Sequence, residues 1–202
     1  MSTPPARRSP AAADRVRDPD RTRRALLDAA RAEFAAKGID GARVSAIAER
    51  AGVNKQLISY YFGGKQGLYD AIVEEWLAYE QQLQSPDIGL DELACRYLEV
   101  VKDQADLHRL FVREHLDADV SQIEYDPDSP DVAEMRRRKD AGEIADGIDP
   151  AFLLLVLQGA VSASVVFPAD VKRNLGLDPD SDEYFALADA QLRLIIRCLM
   201  AD

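Results

Sequence analysis

The chain of 202 residues is 47% hydrophobic, enough apolar material for one larger domain or two small ones with a packed core. Its net charge of −11 is segregated: residues 1–65 hold 13 Lys/Arg against 7 Asp/Glu, net +6, and residues 66–202 hold 12 against 29, net −17. Cys95 and Cys198 stand far apart without metal-ligand spacing, which excludes a disulfide framework or a zinc site and suits free thiols in a reducing cytoplasm.

Residues 1–19 combine Pro4, Pro5, Pro10 and Pro19 with Arg7, Arg8, Arg15 and Arg17. Such a segment cannot bury a core, so a disordered basic arm is expected, reaching DNA phosphates or a minor groove or serving only as a solubilising tail. It has no apolar run, and no signal peptide is expected. From about Asp20 to Lys37, Leu26, Leu27, Ala30 and Phe34 form the inner stripe of a first helix that Gly38 should end. Val44 to Leu68 then spells two short helices around Ala51-Gly52-Val53. Gly52 supplies the positive φ that a tight turn needs, and Val53 plugs the angle between the helices. Leu57, Ile58, Tyr61 and Phe62 give the second helix its packed face, with Asn54 as its cap. Lys55, Gln56, Ser59 and Tyr60 are left on its outer face and N-terminal end, where a recognition helix meets base edges.

After Gly63-Gly64 a long helix should run from Lys65 to Gln84, its start near phosphates and its far half reaching into the acidic part of the chain. Further helices are expected at about Leu90–Asp103, Leu107–Asp117, Asp131–Ala145, Pro150–Phe167 and Asp182–Met200, with a flexible loop over Asp119–Pro130. Arg136, Arg137, Arg138 and Lys139 spread around a helix, so a solvated surface with local salt bridges is expected; an acidic effector held by one of the arginines is the lesser reading. The longest uncharged run, Ala151–Ala169, is short of the ~20 apolar residues of a membrane span and reads as a buried helix.

Two helices carry more apolar surface than one small body can cover. Phe152, Leu155, Val156, Gly159 and Ala163 line one side of the Pro150 helix, and Phe185, Ala188, Leu192, Ile195 and Leu199 recur at steps of three and four in the last one. Pairing these stripes between two copies predicts a homodimer closed by an intersubunit four-helix bundle. His108 and His115 lie seven apart, about 10 Å along a helix axis, too far to share a metal without further ligands. No HExxH, Gly-rich phosphate loop or GxSxG elbow is present, so neither catalysis nor a metal or other cofactor is expected.

These landmarks together are specific. Phe34 and Gly38, Ile47-Ala48, Ala51-Gly52-Val53, Tyr61-Phe62, Lys65 and Leu68 resemble, in order and spacing, the N-terminal domain of TetR-family transcriptional regulators. The resemblance covers roughly residues 20–70, with Arg43 standing where the family usually has Thr or Ser, and Ser59 where it has Tyr. It implies an all-α chain with a three-helix helix-turn-helix DNA-binding domain, residues 20–66, and a helical effector-binding and dimerisation domain, residues 67–202. Carried over residue by residue, Ser45, Lys55 and Gln56 would meet base edges, and Arg43, Ser59, Tyr60, Tyr61 and Lys65 the DNA backbone. The family's effector cavity implies a small-molecule ligand of unknown class; Trp76, Tyr79, Tyr97, Phe111, His115, Phe152 and Gln158 are candidate lining groups, although for any one of them core packing is the commoner role, since aromatics at helical spacing supply core first. The implied function is repression from a palindromic operator, relieved by the effector, in the cytoplasm. The alternative is a ligand-binding or protein–protein regulatory module that kept the head but lost sequence reading.

Overall fold

The computed structural model describes residues 18–84 and 87–200, which form eleven α-helices, one 3-10 turn and, among the described residues, no strand. The basic arm expected at 1–19 lies outside the described residues except for its last two. These begin the first helix, α1 (Pro19–Gly41): Asp18 accepts from the Asp20 and Arg21 backbone N–H groups, and Pro19 takes the first turn, where no donor is needed. The helical path of α1 breaks at Gly38 and resumes for one short turn to Gly41. Then come α2 (Val44–Arg50), α3 (Gln56–Phe62) and α4 (Lys65–Leu83).

One core joins these four helices. Leu26, Leu27, Ala30 and Phe34 of α1 are buried against Ile47 of α2, Ile58 of α3 and Leu68 and Ile72 of α4. Across them, Arg23 and Arg31 of α1 both bind the Glu75 carboxylate of α4, at 2.8 and 2.7 Å. After α4 come α5 (Leu90–Asp103) and α6 (Ala105–Asp117), then α7 (Pro130–Asp140), α8 (Pro150–Val161), α9 (Ala163–Val166), α10 (Pro168–Leu175) and α11 (Asp182–Leu199), and a second core lies in this acidic part among all of them but α6. The boundary expected between residues 66 and 67 falls inside α4, whose first half belongs to the first core.

Several elements differ from expectation. Helix α7 stops at Asp140, five residues early, because the chain turns at Gly142 and the Glu143 N–H closes back on the Arg138 carbonyl. The apolar stretch expected as one helix over 150–167 is broken at Ser162, and α9 ends at Phe167 because a residue before proline disfavours helical geometry. Pro168 opens α10, a helix absent from the expectation. The basic run divides: Arg136 and Arg137 are exposed and pair locally with Asp128 and Glu134, as expected, whereas the next two residues turn inward. Arg138 is fully buried, donating to Glu134, Glu143 and the Ile88 carbonyl, and Lys139 caps the Asp146 and Ile148 carbonyls. Among the described residues no helix is long and apolar enough to cross a membrane.

Candidate functional site

The turn between α2 and α3 is built as its residues require. Gly52 has φ +67°, and the Gly52 and Val53 N–H groups donate to the Glu49 and Ala48 carbonyls at 3.1 and 3.0 Å. The Asn54 side chain accepts from the Gln56 N–H at 2.9 Å, opening α3. With Ile47 and Ile58 buried, the opposite faces of both helices turn outward. Arg43, Val44 and Ser45 at the start of α2 and Lys55, Gln56 and Ser59 of α3 line one open cleft. Its two charged residues are cations and no carboxylate lines it, so the field there favours a polyanion. Behind it the buried Glu33 carboxylate accepts from Lys37 and from the Arg43 N–H, and the Lys37 bond holds it below the usual carboxylate range. That bond fixes the backbone from which the Arg43 side chain leaves. Tyr60 is 78% exposed, edge-on to Tyr61, which is half-buried against the first core.

Lys65 corrects the expectation of a phosphate contact. Its ammonium donates to the carbonyls of Ile39, Asp40 and Ala42, at 2.6, 3.1 and 3.4 Å, which takes up its three N–H groups. It buckles the end of α1 to the start of α4.

Helices α4, α5, α6, α7 and α8 enclose a cavity of about 390 Å³. Trp76, Tyr97, Phe111, His115 and Gln158 line it as expected. Tyr79 and Phe152 do not: Tyr79 is an exposed ring beside Trp76, and Phe152 is 66% exposed on the outer side of α8. Glu80, Gln84, His108, Asp131 and Glu134 also line the cavity and were missed, although His108, Phe111 and His115 at steps of three and four mark one stripe in the sequence. The Tyr97 hydroxyl donates to Glu80 at 2.9 Å and accepts from Gln84 at 3.4 Å. Burial, with Asp131 nearby, pushes the Glu80 carboxyl up; burial also pushes the Tyr97 phenol up. His108, 2.9 Å from the Ser162 hydroxyl, is pushed down to about 4 by burial and by His115. The His115 Nδ1 donates to the Phe111 carbonyl at 2.7 Å.

The stripe expected to pair is exposed on α8 and turned mostly inward on α11. Phe152, Leu155, Val156 and Gly159 are exposed and Ala163 is half-buried. On α11, Phe185 and Leu192 are buried in the second core, Ala188 and Leu199 are half-buried, and Ile195 alone of the expected stripe is exposed, beside Leu187 and Leu194. The rotation follows the burial of Phe185, Leu192 and Ile196 in the second core, and ion pairs to α5 accompany it: Arg193 to Glu92 at 2.9 Å and Arg197 to Asp91 at 3.1 Å.

Helix α6 belongs to both halves. Leu107 and Leu110 are buried in the first core, while His108, Phe111 and His115 face the cavity. Arg113 donates to the Ala36 carbonyl of α1 at 3.1 Å, and the Tyr69 phenol of α4 is pushed up by burial and by Glu114.

Comparison with known proteins agrees with this geometry. The family described as "Bacterial regulatory proteins, tetR family" matches residues 26–72, which span the turn and its supports. The HTH-type transcriptional repressor SCO4008 of Streptomyces coelicolor is 32% identical over 161 residues, 76% of this chain and 83% of its own. The HTH-type transcriptional regulator RutR of Escherichia coli K12 is 29% identical over 175 residues, 81% of this chain and 82% of its own. The crystal structure of SCO4942 from Streptomyces coelicolor superposes with a TM-score of 0.69 at 24% identity, covering 89% of this chain and 98% of that one. The chain belongs to the TetR family of helix-turn-helix, DNA-binding transcriptional regulators.

Proposed function

We propose that the protein is a dimeric, cytoplasmic repressor that occupies a pseudo-palindromic operator and is released when a small molecule fills the cavity. The observation that carries this reading is the sharing of α6, which gives buried side chains to the head core and wall residues to the cavity. A ligand that pushes on Phe111 or His115 acts on the helix that holds Leu107, Leu110 and the Arg113 contact to α1. Head separation would change, and with it the fit to two half-sites, a shift between populations set by differential ligand affinity. In the head, Ser45, Lys55 and Gln56 read bases, Arg43, Ser59 and Tyr60 hold phosphates, and Tyr61 acts partly by packing. Two-fold pairing through the exposed faces of α8 and α11 sets half-sites about one turn apart, or more if dimers bind in pairs.

Selection of the protein against random duplex DNA near physiological salt, followed by sequencing of the bound pool, tests the reading. An enriched inverted repeat is the expected result. No enrichment from a folded dimer would favour a module that has lost sequence reading. Release is tested separately by measuring head separation with and without saturating ligand: DNA release at unchanged separation would rule out the population shift.

A further inference from the structure

The cavity's charge is one-sided. Among the described residues no lysine or arginine lines it, while three carboxylates do: Glu80 from α4, and Asp131 and Glu134 from α7. Glu134 is already neutralised by bonds of 2.7 to 2.8 Å to Arg137 and Arg138. Asp131 sits exposed at the rim. Glu80 is half-buried and accepts a bond from a neutral donor, the Tyr97 hydroxyl. Neither histidine is bonded to it: His108 is bonded to Ser162, and His115 to the Phe111 carbonyl. A half-buried carboxylate without a cation is an unfavourable arrangement that a cationic guest relieves. The wall beside it is aromatic, with the Trp76 ring 6.4 Å from Tyr97 and 5.6 Å from Phe111, faces that attract an organic cation and repel an anion.

We propose that the cavity binds an amphipathic organic monocation, such as a planar heteroaromatic ring protonated at its ring nitrogen, its charge set against Glu80 and its ring against Trp76 and Phe111. This rests on the reading of the cavity as the effector site. At about 390 Å³ it lies toward the small end of drug-sized pockets and suits a frame of a few fused rings.

The test uses three tricyclic probes on the full chain without DNA: proflavine, a cation at neutral pH; acridone, neutral; and anthracene-2-carboxylate, an anion. Fluorescence titration should show proflavine binding at least tenfold tighter than acridone, with the carboxylate not binding. Glu80→Gln should remove most of that preference while the melting temperature holds, and Leu157→Trp, which fills the cavity, should abolish binding. Leu154→Trp replaces it if Leu157→Trp does not fold. Equal or tighter binding of acridone or the carboxylate, blocked by the tryptophan variant, would overturn the cation class and leave the effector cavity standing. Binding of none of the three, or binding that the tryptophan variant leaves intact, would overturn both.

Discussion

Three carbonyl oxygens, those of Ile39, Asp40 and Ala42, share the Lys65 ammonium, so Lys65→Met should cost stability first. A loss of about 1–3 kcal/mol is expected, read from urea or thermal unfolding. Lys55→Ala should do the reverse: unchanged unfolding, and discrimination at one base pair relaxed by about 1–3 kcal/mol in a competition binding assay. Gly67 gives a third residue-scale test. A Cβ there would overlap the Phe62 carbonyl oxygen, so Gly67→Ala should lower the melting temperature even though alanine is the better helix former. His108 adds a pH dependence. Its folded value of about 4 is below the ordinary 6.5, so between those limits the unfolded chain takes a proton that the folded one refuses. Its stabilisation is complete above pH 6.5 and is lost as the pH falls towards 4. His108→Gln should flatten the change in unfolding free energy between pH 7 and 5.5, a range above that of the lowered carboxyls of Glu33, Glu92 and Glu134.

Among the elements, α11 is apolar on more than one side, and steps of three and four alone do not say which stripe faces a partner. Packing against α5 decides it, with Leu192 and Ile196 buried and Arg193 and Arg197 paired to Glu92 and Asp91, and this becomes visible only once the two helices are known to be neighbours. Leu194→Glu, on the exposed side, should therefore yield folded monomers, whereas Leu192→Glu, buried in the second core, should unfold the chain; analytical ultracentrifugation and circular dichroism separate the two. The two short helices of the head were legible because their requirements are local: a positive-φ glycine, a capping Asn and one packed face. The cavity was legible only in part. Aromatics announce themselves by size, while Glu80, Gln84 and Asp131 become wall residues only through the way α4, α5 and α7 meet. Helix α10 was hidden because Pro168 serves equally as an end and as a beginning.

Over the whole molecule, charge segregation outweighs the net charge of −11 in governing encounter with DNA. With a Debye length of about 8 Å at physiological salt, the acidic body would be screened from DNA at the proposed Arg43 and Lys55 cleft. The shared α6 has a further consequence, for how the protein can diversify. Leu110 and Phe111 are consecutive residues, one in the head core and the next in the cavity wall. Substitutions that reshape this wall for a new ligand also disturb the support of the reading helices, whereas the walls from α7 and α8 carry no such burden. Variants selected for altered ligand choice with intact operator binding should therefore accumulate around Met135, Leu154 and Gln158, leaving α6 unchanged as the fixed axis around which ligand specificity drifts.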